Sequence, residues 1–193
     1  MRLFWARGYE STSLAELTEA LGIAPASLYA AFGSKEGLFY EAVARYGEKY
    51  TGFDTAMVAA APSARALIEA MLQGAAAAFT TDGLPRGCMV ISAATNCGPE
   101  SADVERALRD QRRANETHLA NRLERAVAEG ELTAGTDPGA LAKFIATVIQ
   151  GMSIQARDGA DRHALLAVVG SALAIVDASV ARRKPGARRA RKT

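Results

Sequence analysis

Between residues 12 and 40 the apolar positions repeat at helical spacing and are cut twice by glycine. Ser13 and Glu16 have the spacing of a capping box, which predicts a helix starting near Leu14. Leu14, Leu17 and Leu21 are expected on one face of it. Gly22 supplies the left-handed backbone that ends a helix. Pro25 suits the first turn of a second helix, where its missing N–H costs little. Leu28 and Phe32 share the inner face of that helix. Pro25, Ala26, Ser27, Tyr29 and Ala30 are left mostly on the other. Gly33 breaks the chain, and Ser34 caps a third helix that begins at Lys35 and runs to about Gly52. Helix, short turn, short helix is the organisation of a helix-turn-helix DNA reader. Paired amphipathic helices joined by glycine also occur in other all-α proteins.

The pattern stays helical to the end. Pro62-Ser63 opens a helix that turns Leu67, Ile68, Met71, Leu72 and Ala75 to a core. Residues 81–87, TDGLPRG, read as a loop. A short apolar helix, CMVISAATN, is closed by Cys97-Gly98-Pro99. A long polar helix over about 100–129 follows, with Val104, Leu108, Leu119, Leu123 and Val127 as its apolar stripe. Asp137-Pro138 and Asp161 cap two further helices, 138–157 and 162–180. These last two are apolar over so much of their circumference that they want burial on two sides. Burying one against the body and the other against a second subunit is the simplest solution; a monomer core is the plainer one. The alanine-rich composition, with only six prolines, favours helix throughout. The expected fold class is all-α.

Charge alters the picture more than its total suggests. The net charge is +2. The last twelve residues, RRKPGARRARKT, hold seven basic groups and no acid. Setting those aside leaves 16 basic against 21 acidic residues, a body of −5. Within residues 1–47, Arg2, Arg7, Lys35 and Arg45 face Glu10, Glu16, Glu19, Glu36 and Glu41, so the reading unit is slightly acidic. Phosphate binding must then rest on local geometry rather than bulk charge. The basic tail reads either as a disordered solubilising end or as a non-specific DNA contact. No apolar run is expected to span a bilayer. No signal segment opens the chain. Two cysteines without a dense framework point to a reducing cytoplasm.

One set of residues goes further. Gly8-Tyr9, Thr12-Ser13-Leu14, Ile23, Ser27-Leu28-Tyr29, Phe32 and Lys35-Glu36-Gly37-Leu38 follow one another without gaps. This run resembles the signature of the TetR family of one-component transcriptional regulators and covers residues 1 to about 47. The sequence departs from the pattern at Ala26, Ser27 and Ala31, where the family often has Gly, Thr and His. Members usually carry ten or more residues before the pair matching Leu3-Phe4, so the first helix is expected to be truncated. The resemblance implies a three-helix helix-turn-helix DNA-binding domain (1–47), a helical ligand-binding and dimerisation domain (48–181) and the basic tail (182–193). It implies a homodimeric repressor on a palindromic operator of double-stranded DNA, released by an unknown small molecule. The alternative is a small-molecule or thiol-based redox sensor module with weak or no DNA binding. On the repressor reading, Pro25, Ala26 and Ser27 lie near base edges and Tyr29 reaches a phosphate. Thr12 and Lys35, at helix starts, clamp the DNA backbone. So few long polar side chains leave thymine methyls and DNA shape to carry specificity.

Catalysis finds no support. His118 and His163 are the two histidines, neither lies in a nucleophile motif, and no phosphate-binding loop or metalloprotease pattern occurs. No cofactor is expected. Nine residues separate Cys88 from Cys97, about 180° around a helix, which argues against shared metal ligation and against a disulfide within the subunit. Cys88 reads as a buried structural cysteine, or as a sensor thiol with a pKa lowered at a helix N-terminus. An effector pocket in the C-terminal part draws on Met57, Met71, Phe79, Met89, Ile91, Phe144, Val148 and Met152 for its apolar wall. Thr95, Asn96, Asn115, His118 and Gln150 are the expected polar anchors.

Overall fold

The capping box forms as the spacing requires. The backbone N–H of Ser13 donates to Glu16 Oε2 at 2.8 Å, and the N–H of Glu16 donates to Ser13 Oγ at 3.2 Å. It opens α2 (Leu14–Leu21), which ends at Gly22 in the left-handed conformation. The computed structural model describes residues 1–50 and 61–181, so Gly52 and Met57 lie outside the described residues, as does the basic tail. Before α2 stands α1 (Arg2–Arg7). After it come α3 (Pro25–Phe32), with Pro25 in its first turn, and α4 (Lys35–Tyr50). The hydroxyl of Ser34 caps α4 by accepting from the N–H of Gly37 at 2.9 Å. A Cβ on Gly37 would lie 2.1 Å from the carbonyl oxygen of Phe32, so only glycine lets α4 cross the end of α3 so closely.

The remaining helices are α5 (Ala64–Phe79), the four-residue α6 (Met89–Ser92), a 3₁₀ turn (Pro99–Ser101), α7 (Ala102–Ala128), α8 (Pro138–Arg157) and α9 (Arg162–Ser179). Ser63, Asp137 and Asp161 cap α5, α8 and α9. The expected helix over 88–96 shrinks to α6, with Cys88 as its first flanking residue and Cys97 beyond its end. The two cysteines therefore do not share a helix, although both are free thiols. Leu21, expected on the buried face with Leu17, is half exposed. No strand occurs among the described residues; Leu132 and Val180 form an isolated bridge.

One core runs through the described residues. At its N-terminal end Phe4, Tyr9 and Phe39 pack ring on ring, with Phe4 and Phe39 5.1 Å apart and edge-on. In the remainder, α5, α7, α8 and α9 pack around Leu67, Ile68, Leu72, Leu108, Leu123, Ile145 and Val176. The sequence reading of no membrane-length apolar run is corrected here. α9 is long and apolar enough to cross a membrane by length and composition, with 28% of it buried. Between Arg162-His163 at its start and Ser179 at its end, its polar residues are Ser171 and Asp177; Leu166, Val168 and Ile175 stand exposed on it, and Ile154 is exposed on α8. Core helices of soluble proteins pass the same test.

Four bonds join α1 and the segment after it to the larger helical part. The backbone N–H of Tyr9 donates to the Ala93 carbonyl at 2.6 Å. Trp5 Nε1 donates to the Gly87 carbonyl at 3.0 Å. Arg157, in the last turn of α8, donates to the carbonyls of Trp5 and Ala6. Gly87 has a positive φ of 77°, and a Cβ there would meet the Ser153 carbonyl oxygen at 2.7 Å. The loop thus lies against α8 backbone to backbone.

Candidate nucleic-acid interface and effector cavity

The outer face of α3 is bare. Pro25, Ala26, Ser27, Tyr29, Ala30 and Ala31 are exposed, Leu28 is fully buried and Phe32 partly so. A short helix anchored by two side chains leaves its other faces available to a groove. Tyr29 is 47% exposed. Lys35, at the start of α4, is partly buried with Nζ 4.4 Å above the Tyr9 ring. Burial holds its pKa below the ordinary lysine value, against the pull of Glu10. Arg7 is tied to Glu16 in an exposed ion pair, which removes one cation from those a phosphate would meet.

About 20 residues away in sequence from that face, the C-terminal half of α4 joins α5, α6, α7 and α8 around a cavity of about 780 Å³. The volume lies within the range of small-molecule sites, roughly 300–1,000 Å³. Its wall is mostly apolar, with Met71, Phe79, Leu84, Val90, Ile91, Leu119 and Ile149. Polar groups come from Gln111, Arg112, Asn115, Glu116 and Gln150. Tyr46 and Tyr50 line one side and pack against Trp5, Tyr46 edge-on and Tyr50 tilted, with ring centroids 4.8 and 5.3 Å from the indole. The cavity and α1 therefore share an aromatic wall.

Residues 1–42 match the family model described as bacterial regulatory proteins, tetR family, and residues 62–181 match that of the tetracyclin repressor-like C-terminal domain. The chain belongs to the TetR family. The HTH-type transcriptional repressor ComR of Escherichia coli (strain K12) is 36% identical over 174 residues, 90% of this chain and 83% of that protein. BdcR, another such repressor of that strain, is 33% identical over 175 residues, 88% of this chain and 81% of its own. Among solved structures, a cysteine-substituted form of the TetR-family regulator CifR in complex with 26-base-pair operator DNA is 47% identical. It covers 90% of this chain and 90% of its own, with a TM-score of 0.85.

Several expected site residues of this TetR-family chain fall elsewhere. Thr12 is fully buried, and its hydroxyl donates to the Gly8 carbonyl at 2.6 Å. Its side chain has nothing left for a phosphate, so the backbone clamp expected there is withdrawn. Of the expected apolar lining, Met71, Phe79 and Ile91 reach the cavity, as do the anchors Asn115 and Gln150. Met89 and Met152 do not, because both are sealed in the core. Phe144 and Val148 pack against that core from faces of α8 turned away from the cavity. Thr95, Asn96 and His118 are exposed outside it.

Cys88 does line the cavity, but its chemistry is the reverse of that expected for a sensor thiol. Burial pushes its pKa up, more than hydrogen bonding by Tyr46 and nearby backbone pulls it down. Its backbone N–H is already held by Ser153 Oγ at 2.8 Å. A four-residue helix offers little dipole to offset this. Cys97 is also raised, by burial first and then by the charges of Glu10 and Glu105.

The sequence reading missed Arg112, Gln111, Tyr46 and Tyr50. A signal for the first two was present. The apolar stripe of α7 breaks between Leu108 and Leu119, and Gln111, Arg112 and Asn115 stand on the inner side of that gap. Polar residues interrupting a core-facing stripe mark a place where the core is not filled.

Proposed function

We propose that this chain is a cytoplasmic transcriptional repressor that binds a palindromic operator as a homodimer, reads it with α3, and is released when a small molecule fills the cavity. Residues 1–47 serve as the reader and 48–181 as the effector and dimerisation part. The observation that carries the reading is the bare face of α3 at the end of a capped helix-turn-helix, backed by relatives named as repressors and by the operator complex of CifR. Pro25, Ala26 and Ser27 approach base edges, and Tyr29 and Lys35 approach phosphates. The exposed Ile154, Leu166, Val168 and Ile175 favour a second copy packed on α8 and α9. A gel shift with the DNA upstream of its own gene tests the reading. Retardation at two chains per site, competed by that DNA but not by random duplex, is the expected result; equal competition by both overturns it.

The acidic balance of residues 1–47 favours a second reading, a sensor module with weak DNA binding. Absence of retardation at low salt would select it.

A further inference from the structure

The charged groups on the cavity wall are not balanced. Lys49, Arg112 and Glu116 line it. Glu116 is engaged by Lys143, whose Nζ lies 2.6 Å from its carboxylate. Arg112 makes no ion pair among the described residues. Its Nη1 donates instead to the carbonyl of Val90 in α6 at 2.7 Å. A guanidinium carries five N–H donors in a planar fork suited to a carboxylate. What remains on the wall is cationic, facing apolar surface.

Resting on the regulator reading above, we propose that the cavity takes an amphipathic organic anion whose carboxylate pairs with Arg112 while its apolar body lies between α5 and α8. Burial already makes the charged form of Arg112 less favourable than in water, which an incoming anion would relieve. The same guanidinium holds α6 through Val90. α6 leads directly to Ala93, whose carbonyl accepts from the backbone N–H of Tyr9. An anion competing for Arg112 is therefore two short steps from the reader. Lys49, on the same wall, adds to the positive potential at the cavity.

The single tryptophan provides the readout, because Trp5 packs edge-on against Tyr46 and tilted against Tyr50 of the cavity wall. Decanoate, 1-decanol and decylamine share one apolar body and differ in charge. The same holds for 4-phenylbutyrate and 4-phenylbutanol. Titrated into the full chain below their aggregation limits, the acids should change Trp5 fluorescence saturably and bind at least about tenfold more tightly than the alcohols or the amine. Arg112→Gln should remove that preference, and Arg112→Lys should retain part of it. Gly74→Leu serves as a second variant, since Gly74 lines the cavity and a Cβ there meets nothing within 4 Å. It should weaken acids and alcohols alike by filling the space without touching Arg112. Equal affinity for acids and alcohols, no saturable response to either acid, or an acid preference that survives Arg112→Gln each overturns the proposal. The regulator reading fails separately. Saturable acid binding by a chain that does not retard operator DNA keeps the anion site and removes the repressor.

Discussion

The indole N–H of Trp5 donates to the carbonyl of Gly87 at 3.0 Å, across 82 residues of sequence. Both groups are buried, and the bond fixes α1 to the loop that leads into α6. Trp5→Phe keeps a ring against Tyr46 but leaves the carbonyl without its donor. Leaving a buried group unpaired costs about 1–3 kcal/mol. Urea denaturation followed by circular dichroism should show a loss of that size with an unchanged slope.

Gly37 answers to a different constraint. A methyl group there would sit inside the contact radius of the Phe32 carbonyl, which is backbone and cannot swing away. Gly37→Ala should destabilise by about 1–3 kcal/mol, the usual range for overpacking. Gly74→Ala is the control, because its Cβ has open space and alanine favours helix by up to about 1 kcal/mol. Thermal melts of the two variants should move in opposite directions.

How much of this was legible in the sequence depended on the kind of signal. The caps at Ser13, Ser34, Ser63, Asp137 and Asp161 all formed, because each is a local bond between residues three apart. Leu28 and the stripe of α7 were found by periodicity. The cavity was only half legible. Its lining is chosen by how α4, α5, α7 and α8 meet, and periodicity says which face is inward but not whether that face meets a neighbour or a void. Met89 and Met152 met neighbours; Met71 and Phe79 met the void. Thr12 misled for a related reason. A hydroxyl beside a helix start suits a phosphate or a nearby carbonyl equally well, and the Gly8 carbonyl reached it first. Of the two readings of Cys88, burial favours the structural one; the sensor reading required a helix end to lower the pKa of a thiol that stays wet.

That shift has a measurable sign. A raised thiol pKa leaves less thiolate at a given pH, and thiolate is the reactive form. Iodoacetamide at neutral pH should modify Cys88 far more slowly than a model thiol, and the rate should climb only above the pH range where ordinary thiols ionise. Cys97, raised but less buried, should react first. Mass spectrometry of a time course resolves the two sites. Fast labelling of Cys88 at neutral pH would restore the sensor reading.

On the proposed docking, Tyr29 and Lys35 reach phosphates, which carry no sequence information. Tyr29→Ala should weaken binding to operator and random duplex alike, by up to about tenfold for the loss of one hydrogen bond. Lys35→Ala should lower the slope of log affinity against log salt by about one. Fluorescence anisotropy over a salt series reads both. A selective loss on the operator alone would move Tyr29 to a base-reading role.

Ile175 is 53% exposed on α9, the most exposed large apolar residue among those described. If a second copy covers it, Ile175→Arg should leave the fold intact and shift the mass in solution from dimer to monomer. Light scattering after size exclusion measures this, with circular dichroism as the check on folding. An unchanged mass would place the interface elsewhere.

Only Leu28 among the eight residues of α3 is fully buried, and six of the others are exposed. The positions that would choose a DNA sequence are therefore nearly absent from the positions that make the protein fold. Substitution along that face is close to neutral for stability, so new operator preferences can be sampled freely by mutation. The residues that hold the scaffold, Leu28 and Gly37, have no such latitude. Folding and target choice are in this sense written in separate alphabets on one short helix and its neighbour, and divergence among regulators built this way should concentrate on the first while sparing the second.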